Sequence, residues 1–119
     1  MRLDKLLKTA VAALEDIKGR DITVLDVRKL TALFDKIVIA SSDSTRQAKA
    51  MSKNLQEKVK AQGGAVYGVE GEQVGEWVLV DLGAVVVHIM QPAVRQHYNL
   101  EELWTPPKAR RHRRLTPSA

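Results

Sequence analysis

The chain contains no cysteine, which excludes disulfides and Cys-ligated zinc from any account of its stability or chemistry. No apolar run approaches the ~18 residues of a membrane-spanning helix, and no basic-then-apolar opening marks a targeting segment, so the expected location is the cytoplasm. G-x-G-x-x-G, the P-loop pattern and the G-x-S-x-G elbow are all missing, which removes the common signatures of phosphate cradles and serine nucleophiles. The histidines, His88, His97 and His112, do not fall at a short metal-ligand spacing. No cofactor is expected. Aromatic residues are scarce, two Trp, two Tyr and one Phe, so their placement carries information.

What is present is the balance of a globular domain, 45% hydrophobic and 28% charged, in 119 residues that suffice for one core and not two. The net charge of +5 is unevenly divided. Residues 105–119 hold Lys108, Arg110, Arg111, Arg113 and Arg114 and no acid, whereas residues 1–104 sum to zero. Within 61–104, six carboxylates face Arg95 alone, leaving that segment at −5. A basic partner is favoured there and an anionic one at the tail. The expected organisation is one domain over 1–104 followed by a basic, disordered tail over 105–119.

Leu3, Leu6, Leu7, Val11, Leu14 and Ile17 recur at helical spacing, with Gly19 as the expected stop. Alternation from Asp21 to Val27 predicts a strand, and the segment from Leu30 to Phe34 has no clear pattern. Lys36 to Ala40 is a β-branched run that predicts a buried strand. Ser44 and Gln47 then form a capping box for a helix from Arg46 to Gln62, ended by Gly63-Gly64. Its outer face carries Arg46, Lys49, Lys53, Lys58 and Lys60, and a solvated helix face is the cheaper explanation. A third strand is expected over Ala65 to Val69. The economical architecture is α/β, a mixed sheet of about five strands with helices packed against it.

The stretch from Trp77 to Trp104 organises the rest. Trp77 to Asp81 and Ala84 to Met90 predict a hairpin turning at Leu82-Gly83. Pro92 opens a helix, and Asn99 with Glu102 predicts a capping box for a further turn bearing Leu100, Leu103 and Trp104 on one face. Three of the five aromatics fall here, and exposed aromatics are enriched where partners bind. Candidate contact residues are therefore Trp77, Asp81, His88, Arg95, Tyr98 and Glu102. Each also has a plainer role: core anchoring for the rings, a satisfied buried histidine for His88, and turn chemistry for Asp81.

The runs WVLVDLGAVVVHIM and RQHYNLEELW, with DKIVIASSDSTRQ before them, resemble the Iojap family, the bacterial ribosomal silencing factors, over about residues 3–104. Ser42 stands where a glycine is common in the family, and Lys36-Ile37 where an aromatic is. The resemblance implies a nucleotidyltransferase-like α/β fold, often dimeric, without catalysis. It implies binding to a ribosomal protein of the large subunit at the subunit interface, which blocks joining of the small subunit and lowers translation when nutrients are short. Trp77, Asp81, His88, Arg95, Tyr98 and Glu102 would then form or support the contact face. Two other readings stay open on the residues alone. One is a small metal-dependent nucleotidyltransferase-like enzyme using Asp26 and Asp81, although the Gly-Ser and paired Asp-x-Asp expected of that fold's active members are lacking. The other is an RNA-binding module acting through the Arg-rich tail, whose basic residues suit phosphate contacts without sequence specificity.

Overall fold

In the computed structural model, which describes residues 1–104, the apolar spacing from Leu3 onward becomes helix α1 (Leu3–Asp16), burying Leu6, Ala10, Ala13 and Leu14. The helix stops earlier than the glycine signal suggests. Lys18 takes the left-handed position (φ 62°), donating its N–H to Glu15 O at 2.9 Å while Gly19 N–H reaches Leu14 O at 2.9 Å. Gly19 is needed for space instead. A Cβ there would lie 2.6 Å from Met51 Cε.

Strand β1 (Arg20–Asp26) follows, with a register shift between Arg20 and Thr23 and Asp21 at φ 50°. The unpatterned segment after it is a turn closed by Leu30 N–H and Thr31 N–H on Val27 O, and it delivers Phe34 edge-on to Trp104 at 5.6 Å. Strand β2 (Lys36–Ser41) is buried from Ile37 onward. Helix α2 (Thr45–Ala61) begins where Ser44 Oγ accepts from Gln47 N–H at 3.0 Å. The return half of the expected capping box is displaced by one residue, because Gln47 Oε1 accepts from Asp43 N–H. The Gln47 amide also donates to Ile17 O and Lys18 O at 3.0 Å, fixing the start of α2 to the end of α1. Gly63 (φ 88°) stops α2, with Gly64 N–H on Val59 O.

The remaining elements are β3 (Gly68–Glu70), β4 (Trp77–Asp81), β5 (Val85–Met90), α3 (Pro92–Tyr98) and α4 (Leu100–Leu103). The third strand starts later than expected, at Gly68, and Val66 before it packs on the main core. Among the described residues five strands form one mixed sheet in the order β1-β2-β5-β4-β3. The β2·β5 pair is parallel and the others are antiparallel. The connection from β2 through α2 lands on the far edge at β3, and the β4–β5 hairpin fills the space between.

The period-2 alternation of the strands divides the core in two. Val38, Ala40, Val78, Val80, Val85, Val87 and Ile89 face α1 and α2. On the opposite face Ile37, Ile39 and Met90 join Val27 and Leu100, with Leu25, Phe34, Trp77, Val94 and Trp104 packed around them. Among the described residues no helix is long and apolar enough to cross a membrane. The basic tail at 105–119 lies outside the described residues.

Candidate partner-binding face

The second sheet face is covered on one side only. Register places Ile37, Val86 and Asp81 in one row across β2, β5 and β4, with Ile39, His88 and Leu79 in the next and Ser41, Met90 and Trp77 in a third. Helices α3 and α4 bring Val94, Leu100 and Trp104 over the β2 end of these rows. The β4 end stays bare. There Leu33, Phe34, Tyr67, Leu79, Asp81, Gly83 and Val86 line a shallow groove that contains one acid and no cation. Leu33 is 83% exposed and Tyr67 71% exposed, unusual values for side chains of that apolar area.

The aromatic cluster stands on the rim of this bare half. Tyr98 is 56% exposed, and its ring centroid lies 4.8 Å from that of Trp77. Trp77 is half-buried and donates its indole N–H to His88 Nδ1 at 3.0 Å. His88 is 8% exposed, and burial pushes its imidazole down to about 4. The neutral ring therefore carries its proton on Nε2 and serves as an acceptor that orients Trp77. The three side chains form a graded stack: Tyr98 outermost, Trp77 beneath it, His88 as the buried support.

Asp81 is half-buried on the bare half, and its Oδ1 accepts from Gly83 N–H at 2.8 Å. It thus sets the β4–β5 turn while remaining in the groove lining. Gly83 (φ 87°) takes the left-handed conformation of the turn, and the Tyr67 ring lies against it, 2.8 Å from where a Cβ would sit.

Arg95 lies behind the surface. Its side chain is 11% exposed, with Nη1 donating to Asp21 O at 2.7 Å and Ser41 Oγ at 2.9 Å. Nη2 donates to Thr23 Oγ1 at 3.0 Å and pairs with Glu101 at 3.1 Å. This guanidinium clamps α3 to β1 and β2, and the bulge at Asp21 is what turns a carbonyl toward it. Glu102 accepts from Asn99 Nδ2 at 2.8 Å. The expected Asn99 capping box does not form, because Asn99 adopts the left-handed conformation (φ 47°) as the joint between α3 and α4, and its side chain donates rather than accepts. Leu103 is exposed, unlike Leu100 one turn before it.

Asp26 and Asp81 do not converge. Asp26 pairs in register with Lys36, whose β5 partner Val85 faces α1 and α2, whereas Asp81 pairs with Val86 on the other face. Three strand spacings of ~4.8 Å separate them as well. Asp26 is held below the usual carboxylate range by hydrogen bonds from Arg28 and by Lys36 at 3.2 Å, so its charge is already neutralised by neighbours. A shared divalent cation has no place between these two carboxylates.

Of the sequence candidates, Trp77, His88 and Tyr98 are brought together, Asp81 lies on the same face two register rows along β4 from Trp77, and Arg95 and Glu102 belong to the helices that frame this face. The residues that sequence reasoning missed are Leu33, Tyr67, Leu79 and Val86. Alternation within WVLVD already puts Leu79 on the side of Trp77 and Asp81. Leu33 arrives from the unpatterned segment after β1, and Tyr67, expected within a strand over Ala65 to Val69, precedes the shorter β3.

One sheet face of this α/β chain is roofed by two helices, and the other gathers aromatic side chains at its bare half. The chain belongs to the ribosomal silencing factor family: residues 1–118 match the family described as ribosomal silencing factor during starvation. It is 52% identical over 104 residues to ribosomal silencing factor RsfS of Chromobacterium violaceum, covering 87% of this chain and 85% of that protein. A crystal structure of a Chromobacterium violaceum protein superposes with a TM-score of 0.86 at 50% identity, covering 90% of this chain and 91% of that one. The mouse protein named mitochondrial assembly of ribosomal large subunit protein 1 is 36% identical over 98 residues, covering 80% of this chain and 43% of its own length.

Proposed function

We propose that this chain represses translation by binding the large ribosomal subunit through the bare half of its sheet, with a ribosomal protein at the subunit interface as its partner. Steric occlusion of the small subunit is the mechanism, and nutrient limitation the condition. Family membership and the name of the mouse relative support the large subunit as the target. The observation that carries the reading is the graded Tyr98–Trp77–His88 stack beside an apolar groove that holds Asp81 and no cation. Ribosomal proteins are basic, so Asp81 on β4 and Glu70 on the adjacent β3 supply the complementary charge, while Tyr98, Tyr67 and Leu79 supply apolar contact. Occlusion requires residence time on the subunit and no reaction, so the reading is non-enzymatic and needs no cofactor. When the protein is off the ribosome, a second copy of the chain would cover the same apolar groove.

The test is co-sedimentation with isolated large subunits, isolated small subunits and joined ribosomes. The wild-type chain is expected with large subunits alone. Tyr98→Ala is the informative variant because an exposed ring contributes little to folding, and a loss of about tenfold or more in affinity is expected for a central aromatic contact. Unchanged binding by Tyr98→Ala and Leu79→Asp together would sink the assignment of this face. No binding to large subunits by the wild type would sink the function itself.

A further inference from the structure

We propose that the outward row of α2 is a second interaction surface, one that takes the phosphate backbone of double-helical RNA on the side of the sheet opposite the bare face. Helix α2 carries Arg46, Lys49, Lys53, Lys58 and Lys60 against Glu57 alone, whereas α1 sets Lys5 and Lys8 against Asp4, Glu15 and Asp16. At about 100° per residue, Arg46, Lys49, Lys53 and Lys60 fall within an arc of roughly 60° and form a row about 21 Å long. Lys58 falls outside the row. All four are exposed, and none has an ion-pair partner among the described residues. Arg20 pairs with Asp43, Arg28 and Lys36 with Asp26, and Arg95 with Glu101; the other cations without an ion pair, such as Lys18 and Lys29, are not lined up on one helix face as these four are. The like-charge neighbours Arg46/Lys49 and Lys49/Lys53 destabilise the helix by a few tenths of a kcal/mol per pair, a cost that a polyanion offsets, while Glu57 stands one turn from both Lys53 and Lys60.

The row borders a shallow groove lined by Lys49, Lys53, Gln56, Lys60 and Gln73, with Glu57 and Glu72 as its carboxylates. Glu72 is drawn toward the helix, accepting from Ser52 Oγ at 2.6 Å and Gln56 Nε2 at 3.2 Å. The platform is stiff. Ser44 caps it, Gln47 ties it to α1, and Asn54 donates to Ala13 O at 2.8 Å. α2 contains no aromatic residue, so base stacking on single strands is not its mode, and a backbone contact blind to sequence is. A bilayer is the poorer fit, because the largest exposed apolar side chains of α2 are those of Ala50 and Ala61, and membrane-surface helices need larger apolar anchors.

The experiment measures binding of the full chain to an RNA hairpin of arbitrary sequence across a salt series. Arg46→Gln, Lys49→Gln, Lys53→Gln and Lys60→Gln are combined in one variant, and Lys5→Gln with Lys8→Gln serves as the control. Thermal melting checks that both variants fold. The expected result is a plot of log affinity against log salt that is shallower by about 0.9 for each phosphate no longer neutralised, with the control unchanged. Tyr98→Ala should leave this slope alone, so failure here is separable from failure of the bare-face reading. A wild-type slope in the four-fold variant would overturn the proposal, as would no RNA binding by the wild type at the lowest salt. Equal competition by anionic phosphatidylserine vesicles would also overturn it.

Discussion

His88 and Ser42 are two buried polar side chains with opposite circumstances. His88 accepts from Trp77, and burial depresses its imidazole from 6.5 to about 4. Because the folded-state value is the lower one, the stability contribution is complete above 6.5 and drains away as pH falls toward 4, where unfolded chains take up a proton that folded ones refuse. The difference is worth about 3 kcal/mol. Urea denaturation at neutral and mildly acidic pH should therefore show a loss in the wild type that His88→Gln, which keeps an acceptor but does not titrate, largely lacks. An identical acid loss in the variant would place its origin elsewhere. Ser42 is fully buried, and its hydroxyl has no hydrogen-bond partner among the described residues. Removing an unsatisfied buried hydroxyl without changing the backbone relieves its desolvation cost, so Ser42→Ala should raise stability by about 1 kcal/mol, read as a higher urea midpoint at unchanged slope.

At the scale of elements, α3 is short and buries no residue fully, so packing alone does not hold it. The Arg95 fork does, through Asp21 O, Ser41, Thr23 and Glu101. Arg95→Lys keeps the charge but cannot reproduce the planar fork, and a destabilisation of about 2 kcal/mol is expected as those charged hydrogen bonds disappear. Hydrogen exchange should accelerate in α3 before it does in α2, and Trp77 fluorescence should shift as Tyr98 loosens; uniform acceleration across the sheet would contradict this division. Four of the strands and the two long helices were legible from periodicity, with α2 also marked by the Ser44 cap and by Gly63. What escaped was set by tertiary contact. Lys18 took a left-handed position that Gly19 advertised, and Gly19 instead occupies a place where a Cβ would lie 2.9 Å from Leu14 O. Asn99 looked like a helix start and became a joint. The candidate site divided in the same way. Trp77, Asp81, His88 and Tyr98 were visible as an aromatic and polar concentration, but which of them faced outward depended on where α3 and α4 stopped covering the sheet. Arg95, outwardly a contact residue by type, became the clamp because a β-bulge 74 residues earlier offered it a carbonyl.

For the whole molecule, charge is unevenly partitioned along the chain. Residues 1–104 are neutral in sum, yet segment 61–104 carries −5 while α2 holds five cations against one acid. The basic residues Lys108, Arg110, Arg111, Arg113 and Arg114 add +5 beyond Trp104. If the bare sheet face supplies recognition and the cations supply non-specific attraction, the two contributions should separate with salt, because buried aromatic contacts are insensitive to screening and phosphate contacts are not. Replacing the five tail cations with glutamine in the full chain is then expected to preserve selective sedimentation with large subunits, weaken it most at low salt, and flatten the salt dependence by up to about 4.5 in slope if every tail charge meets a phosphate. Combining that variant with the four α2 substitutions should flatten it further by an additive amount if the two sets make independent contacts on one polyanion. Complete loss of large-subunit binding in the tail variant at every salt concentration would make the tail the principal determinant, and the bare face of the sheet would then have to be assigned to another partner.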